Sequence, residues 1–415
     1  MRIRIHRGTK EIGGTCIEVE AQGKRLALDV GLPLDAPDEG HESLLPQVPG
    51  FRDSDESLLG VVISHPHLDH YGLARHIRLE VPVYIGEDAH NILKAASAYL
   101  WNGHVFNKPR FINHREHLEI GPFRITPYLA DHSAFDAYSL LIEADGKRVF
   151  YSGDFRAHGR KKKLFESMVK YPPKDIDVLM MEGTTLGRSG TSEGFATEAD
   201  LEQEFMQAFK ETRGIHLVWT SAQNIDRIVT IFRAAKRAGR MLVIDLYTAV
   251  ILEATGKDSI PQSGWKDVKL YVPQGQRVQI KNNKLYNDLG RHNANRIFPK
   301  HLPELSTQAA MLFRPVMIRD KGVNSVLDGA SLSYSMWEGY LKRQSTRSAR
   351  TWLEENNIPM QVIHTSGHAS VADLKRFAGA LAPRRLIPIH SFETGRFGEF
   401  FDNVEQQDDG VWWEV

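Results

Sequence analysis

Residues 64–72 read Ser-His-Pro-His-Leu-Asp-His-Tyr-Gly and directly follow an apolar run, Leu58-Leu59-Gly60-Val61-Val62-Ile63. A short run of this kind reads as a buried strand, with the polar residues on the loop at its end. His65, His67, Asp69 and His70 bring three imidazoles and a carboxylate within six positions. These groups suit zinc or a similar borderline divalent ion, and four of them exceed what one catalytic metal takes from a protein. The spacing points to ligation shared between two metals, rather than to a polar loop that happens to be rich in histidine.

The chain must then supply the remaining donors from elsewhere, and 415 residues suffice for two domains or for one with a large insertion. Hydrophobic residues make up 41% and charged residues 25%, the balance of a soluble protein with a sizeable core. Fifty-two basic residues match 52 acidic ones, so any polyanion must be held by a local patch. The single cysteine, Cys16, excludes a disulfide framework and a thiolate metal site and fits a reducing cytoplasm. The N-terminal Met-Arg-Ile-Arg-Ile-His-Arg lacks the apolar core of a signal peptide, and no apolar stretch is long enough to span a bilayer. A cytoplasmic protein with no membrane partner is the expectation.

The first 60 residues read as antiparallel strands with tight turns: 2–5, 15–20 and, after a Gln-Gly turn, 24–29. Asp29 ends a strand, where it either braces a metal-bound histidine or bonds its own turn. Residues 32–57 read as loop, the pattern from Asp69 as helical with His70, Leu73, Ala74 and Ile77 inward, 82–86 as a strand and 88–100 as a helix. His90, His104, His114 and His117 have no ligand-like neighbours and read as surface or structural. Two further strand signals lead to Asp131-His132 and to Gly153-Asp154. A lone His or Asp at a strand end is usually structural. Here His132 adds a neutral nitrogen donor, and Asp154 a carboxylate able to bridge two dications and offset their repulsion.

His65, His67, Asp69, His70, His132 and Asp154 together resemble the ligand set of the metallo-β-lactamase-fold hydrolases. The resemblance implies an α/β fold, a sandwich of two sheets with helices outside (αββα) and metals at one edge. It implies His65, His67 and His132 on one metal, Asp69 and His70 on the other, and Asp154 between them.

Residues 176–181 read as a strand leading to Glu182-Gly183-Thr184-Thr185. Alternating α and β signals follow: Thr197 with Asp200 as an N-cap pair, a strand at 216–220, a helix at 225–238 and a strand at 241–245. That is the pattern of a parallel sheet in its own α/β domain. The corner at 220–227 suits either a phosphate at a helix N-terminus or plain capping chemistry. Residues 256–312 say little, 314–319 reads as a strand, and 331–342 as a loop entering a helix. Arg343, Arg347 and Arg350 before Trp352 are a solvated helix face or a backbone-binding strip. A strand at 360–363 marks the return to the first domain, followed by His364-Thr365-Ser366-Gly367-His368, a helix capped by Ser370, and a last strand delivering His390. His364, Ser366, Gly367 and His368 supply donors beside a helix start, which suits a phosphoryl oxygen.

With these residues the chain resembles the β-CASP group of metallo-β-lactamase-fold nucleases, and the ribonuclease J family within it, from Gly13-Gly14 to His390. The resemblance implies a metallo-β-lactamase domain over 1–190 and 361–415, with an inserted α/β β-CASP domain at 191–360. Glu182, His368 and His390 match the group's three acidic or histidine motifs, and the histidine at 390, valine in DNA-processing members, leans toward RNA. The implied activity is a ribonuclease that hydrolyses phosphodiesters with hydroxide activated by two divalent ions, zinc or manganese, as exonuclease, endonuclease or both. Asp69, Glu182 and His368 would be catalytic. His364, Ser366 and Gly367 would hold a neighbouring phosphate, and His390 would complete the second metal's shell. The partner would be single-stranded RNA, with DNA as the alternative. His390 is followed by Ser-Phe-Glu rather than Gly-Glu, and the chain ends before the C-terminal domain with which ribonuclease J assembles, so homo-oligomer formation stays open. A small-molecule hydrolase would not need the insertion, and a non-catalytic scaffold would not keep every ligand position filled.

Overall fold

Two tight hairpins set the register of the first strands. Gln22-Gly23, with φ of 52° and 70°, joins Cys16–Ala21 to Lys24–Leu28, and Asp145-Gly146, at 52° and 71°, joins Tyr138–Ala144 to Lys147–Tyr151. Two consecutive left-handed residues make the turn whose twist matches that of the flanking strands. In this computed structural model, which describes residues 1–101, 103–188 and 194–415, the chain divides into two compact units. One comprises Met1–Leu93, His104–Phe195 and Gly367–Val415, the other Lys94–Gly103 and Ala196–Ser366.

The first unit holds two sheets. One runs in the order Trp412–Glu414, Arg2–Arg7, Cys16–Ala21, Lys24–Leu28, Leu58–Val62, Val83–Gly86, Arg110–Ile112. Its early strands pair antiparallel, and from Lys24–Leu28 onward they pair parallel. The other runs Arg385–Ile389, Val178–Glu182, Lys147–Tyr151, Tyr138–Ala144, Phe123–Leu129, Leu118–Ile120, and its first three strands are parallel to one another. Ile5, Val19, Leu26 and Val62 face Phe123, Ile142, Val149 and Met180 across the space between the sheets. Each such side chain contributes about 1.5–3 kcal/mol on full burial.

The outer faces are covered too, which is why the strands read as unbroken apolar runs. Val61 and Ile63 pack outward with Leu73 and Ala89. Phe150 and Leu179 pack against Phe165 of helix Lys162–Lys170 and Leu374 and Phe377 of helix Val371–Leu381. The layers are therefore helix, sheet, sheet, helix.

The second unit is a parallel sheet in the order Arg296–Ile297, Val268–Tyr271, Met241–Ile244, Ala309–Phe313, His216–Trp219, Ser331–Tyr334, Met360–Val362. Helix Glu198–Glu211 starts on the capping box formed by Thr197 and Asp200, and Asn224 and Asp245 cap the helices Ile225–Arg237 and Leu246–Ala254.

Several expectations need correction. The strand Met360–Val362 pairs with Ser331–Tyr334 in the second unit's sheet, so it does not mark a return to the first. Strand and helix are displaced around 314: the buried strand is Ala309–Phe313, and Pro315 opens a 3-10 helix over Pro315–Arg319. Ser331–Tyr334 is a strand, not a loop, and a 3-10 turn, Glu338–Lys342, follows it ahead of the α-helix Arg347–Glu355. Residues 256–312 hold regular elements, among them Val268–Tyr271 and Gln274–Asn282. The second unit also takes in Lys94–Gly103 and extends to Ser366, while the expected division between 190 and 191 lies outside the described residues. Among the described residues no helix is long and apolar enough to cross a membrane.

Candidate metal centre

The candidate ligands leave the C-terminal ends of strands in the first unit, the edge at which open α/β sheets gather their ligands. Leu58–Val62 delivers His65, His67, Asp69 and His70, Lys147–Tyr151 delivers Asp154, Val178–Glu182 ends on Glu182, and Arg385–Ile389 delivers His390. His132 follows Phe123–Leu129. Both sheets contribute. The donor atoms fall into three groups, the last two sharing Asp154: His65, His67 and His132; Asp69, His70, Asp154 and His390; and Asp154, Glu182 and His368. Within each group the atoms lie within 4.8 Å of one another.

Asp154 is central. Its Oδ2 lies 3.2 Å from His70 Nε2, 3.6 Å from His368 Nδ1, and 3.7 Å from both His65 Nε2 and His390 Nε2. His390 Nε2 is also 3.7 Å from Asp69 Oδ2, and His132 Nε2 is 3.2 Å from His67 Nδ1. His368 is fixed from the other side, with Nδ1 3.1 Å from Glu182 Oε2.

Outer residues orient the rings. Asp29 Oδ2 lies 2.8 Å from His70 Nδ1 and accepts from Ser64 Oγ at 2.7 Å and Tyr151 OH at 2.5 Å, while its Oδ1 accepts from Ser64 N at 2.7 Å. Thr15 Oγ1 lies 2.8 Å from His390 Nδ1. Asp29 and His390 both hold left-handed backbone, at φ 57° and 50°, a conformation that Asp and His tolerate better than most residues and that clusters at functional sites. Gly31 lets the ligand loop come close: a Cβ there would sit 1.8 Å from the Asp69 carbonyl oxygen. Tyr151 and Thr15 carry no signal in the sequence, since only the tertiary fold brings them to the site, and Ser64, though beside His65 in the chain, shows its role only through Asp29.

Burial above all holds His65 and His132 well below the usual histidine range, and it lowers His67 and His390 as well. A lowered pKa favours the neutral imidazole, the form that binds metal. Burial also presses on His70, but Asp154 and Asp29 outweigh it and leave its pKa raised well above normal. For His368, burial is outweighed by Glu182 and Asp154, which raise its pKa to about 9. Burial opposes ionisation of Asp154, yet His390, His70 and His368 hold its carboxyl well below the usual range.

The donors fit a divalent metal. Nε2 of His65, His70 and His390 and both carboxylate oxygens of Asp154 are buried without a hydrogen-bond partner among the described residues. Leaving so many polar atoms unsatisfied costs about 1–3 kcal/mol each unless a cation takes up their lone pairs. The donor set is imidazole and carboxylate with no thiolate, which suits zinc or manganese.

Of the expected phosphate loop, Gly367 and His368 belong to the first unit and His364 and Ser366 to the second, where His364 Nδ1 lies 3.5 Å from Arg227 Nη1. The 220–227 corner shows capping and turn chemistry: Asn224 Oδ1 accepts from Arg227 N at 3.1 Å and Ser221 Oγ from Gln223 N at 3.2 Å. His90, His104, His114 and His117 stand outside the three donor groups.

Two mixed sheets between helices, with an interposed parallel α/β unit and these donors at the strand ends, define a metallo-β-lactamase-fold protein. The family described as Beta-lactamase superfamily domain matches residues 36–242. Within that fold the chain resembles ribonuclease J. It is 22% identical to Ribonuclease J of Helicobacter pylori over 92% of this chain and 55% of that protein. It is 24% identical to Ribonuclease J of Mycoplasma pneumoniae over 92% of this chain and 66% of the relative. An RNase J-like protein of Methanocaldococcus jannaschii is 26% identical, over 94% of this chain and 92% of its own length. The chain thus spans between about half and two thirds of the two bacterial relatives. A crystal structure of a protein of unknown function from Enterococcus faecalis shares the fold, with a TM-score of 0.80 at 20% identity and 99% coverage of both chains.

Proposed function

We propose that the chain is a metal-dependent ribonuclease of the ribonuclease J kind, hydrolysing RNA phosphodiester bonds. The observation that carries the reading is the Asp154 carboxylate, buried and unsatisfied, with imidazoles of both sheets aimed at it. The resemblance to ribonuclease J supports RNA as the substrate. His65, His67 and His132 would hold one cation and Asp69, His70 and His390 a second, with Asp154 shared. Two such cations supply Lewis acidity, lowering the pKa of water so that hydroxide exists near neutral pH and offsetting charge on a phosphate.

The chain's own residues do the rest. Asp69, the least buried ligand of its group, orients the attacking oxygen as well as binding metal. His368, positioned by Glu182, donates a proton to the leaving oxygen or a hydrogen bond to a phosphorane oxygen, a role worth ~100- to 10,000-fold in rate. Asp29 keeps the His70 ring in place through Nδ1.

The test joins metal analysis with product mapping. The wild-type protein with zinc or manganese should cleave 5′-monophosphorylated, 5′-triphosphorylated or internally labelled RNA, and the end from which mononucleotides appear defines the mode. H65A and D154N should lose both bound metal and cleavage. Full activity in these variants refutes the metal assignment, and cleavage of DNA in preference to RNA refutes the substrate.

A further inference from the structure

The turn that follows Ser331–Tyr334 carries a surface feature that hydrolysis at the metal centre does not use. Trp337 keeps 48% of its surface exposed, yet its ring is held. The benzo edge lies over Gly339, where an added Cβ would come within 2.4 Å of it. Tyr340 meets the indole edge-to-face, with centroids 5.3 Å apart at 83°. The Arg343 guanidinium lies 4.6 Å over the Tyr340 ring. Thr346 Oγ1 braces the turn, within 3.2, 3.0 and 2.8 Å of the carbonyl oxygens of Tyr340, Leu341 and Arg343. Tyr334 OH reaches the Trp337 carbonyl at 3.3 Å.

Charge narrows what such a surface recognises. Residues 337–350 contain four basic side chains, Lys342, Arg343, Arg347 and Arg350, against one acidic, Glu338, in a chain with no net charge overall. Lys342, Arg343 and Arg347 are exposed. A rigid exposed indole beside a row of cations complements a flat aromatic ring joined to phosphates, the chemistry of an unpaired nucleotide. Because the turn is braced in advance, little conformational entropy is lost when a base stacks on it.

We propose that Trp337, presented by Gly339 and backed by Tyr340, is a stacking platform for an unpaired base of single-stranded RNA, with Lys342, Arg343 and Arg347 pairing with the flanking phosphates. The proposal rests on the reading of the chain as an RNA-acting enzyme and deepens it, since it assigns base stacking to a site on the second unit. It makes single-strandedness a binding requirement, because inside a duplex both faces of a base are already stacked on its neighbours.

The experiment measures fluorescence anisotropy of the full chain with two labelled, non-cleavable phosphorothioate RNAs of equal length, one bearing bases and one abasic. Wild type should bind the base-bearing strand more tightly. W337A should weaken that binding roughly 5- to 100-fold, the usual worth of one stacked base, and leave abasic binding unchanged. W337F should restore most of the loss. G339A, which keeps the indole but pushes it off its seat, should behave like W337A. If W337A binds the base-bearing strand as wild type does, or weakens both strands equally, stacking at Trp337 is overturned while the ribonuclease reading stands. If wild type binds neither strand, the RNA reading falls and this proposal with it.

Discussion

Asp29 gathers its donors on one carboxylate: Ser64 twice, Tyr151, and the Nδ1 of His70. Its carboxylate engages Nδ1 of His70, so that Nε2 faces Asp154. Asp29→Asn keeps the shape and loses the charge, so metal affinity should fall about 10- to 100-fold with the fold retained. Competition with a coloured chelator reads this out, and unchanged affinity would remove Asp29 from the site. His390 supports a second prediction. Its backbone sits at φ 50°, where a β-branched residue is a genuine outlier. His390→Val should therefore cost about 1–3 kcal/mol of stability in urea titrations, beyond the loss of a nitrogen donor. His390→Asn, which tolerates this backbone, should lose the donor without the strain. Equal stability of the two variants would show that the turn is not strained. At this scale the clustering of donor side chains was legible because imidazole and carboxylate spacing points to metal chemistry directly. Asp29 read only as one of two alternatives, and Thr15 and Tyr151 were invisible, because ordinary residue types become ring-orienting ones only by tertiary approach.

The elements that bear the donors were legible for a related reason. Strands such as Leu58–Val62 are covered on both faces, so they read as apolar runs that end where the chemistry begins. Caps were legible as well, as the Thr197–Asp200 box and the Ser370–Asp373 pair show. Sheet membership was not. Each residue of Met360–Val362 is exposed, and nothing local tells an edge strand of one sheet from a strand of another. Between 256 and 312 the elements are short, and their apolar periods are broken by Pro, Gly and Asn. Close approach between elements also escapes a linear reading. Gly31 is the sharpest case, since Gly31→Ala drives a Cβ into the Asp69 carbonyl and forces the ligand loop away. A loss of about 1–3 kcal/mol in thermal or urea unfolding is expected, together with loss of bound metal. Normal metal content in a folded Gly31→Ala protein would show that the loop can give way.

For the whole molecule, the donor groups all fall in the first unit, and they come from strands of both its sheets. Ion binding is then linked to folding of that unit. Removing metal with a chelator should lower the melting temperature, by the equivalent of about 2.7 kcal/mol for free metal at 100 times its dissociation constant. Adding zinc or manganese back should restore it. Differential scanning calorimetry measures this, and a melting curve indifferent to chelator would argue against a resident metal. The buried carboxylate and imidazoles left facing one another carry the penalty in the stripped protein. With donors anchored in both layers, a bound cation would act as a rivet through the sandwich. A cell short of the ion would hold a loosened protein instead of an idle one, and the rate at which proteases clear it would track the supply of that ion.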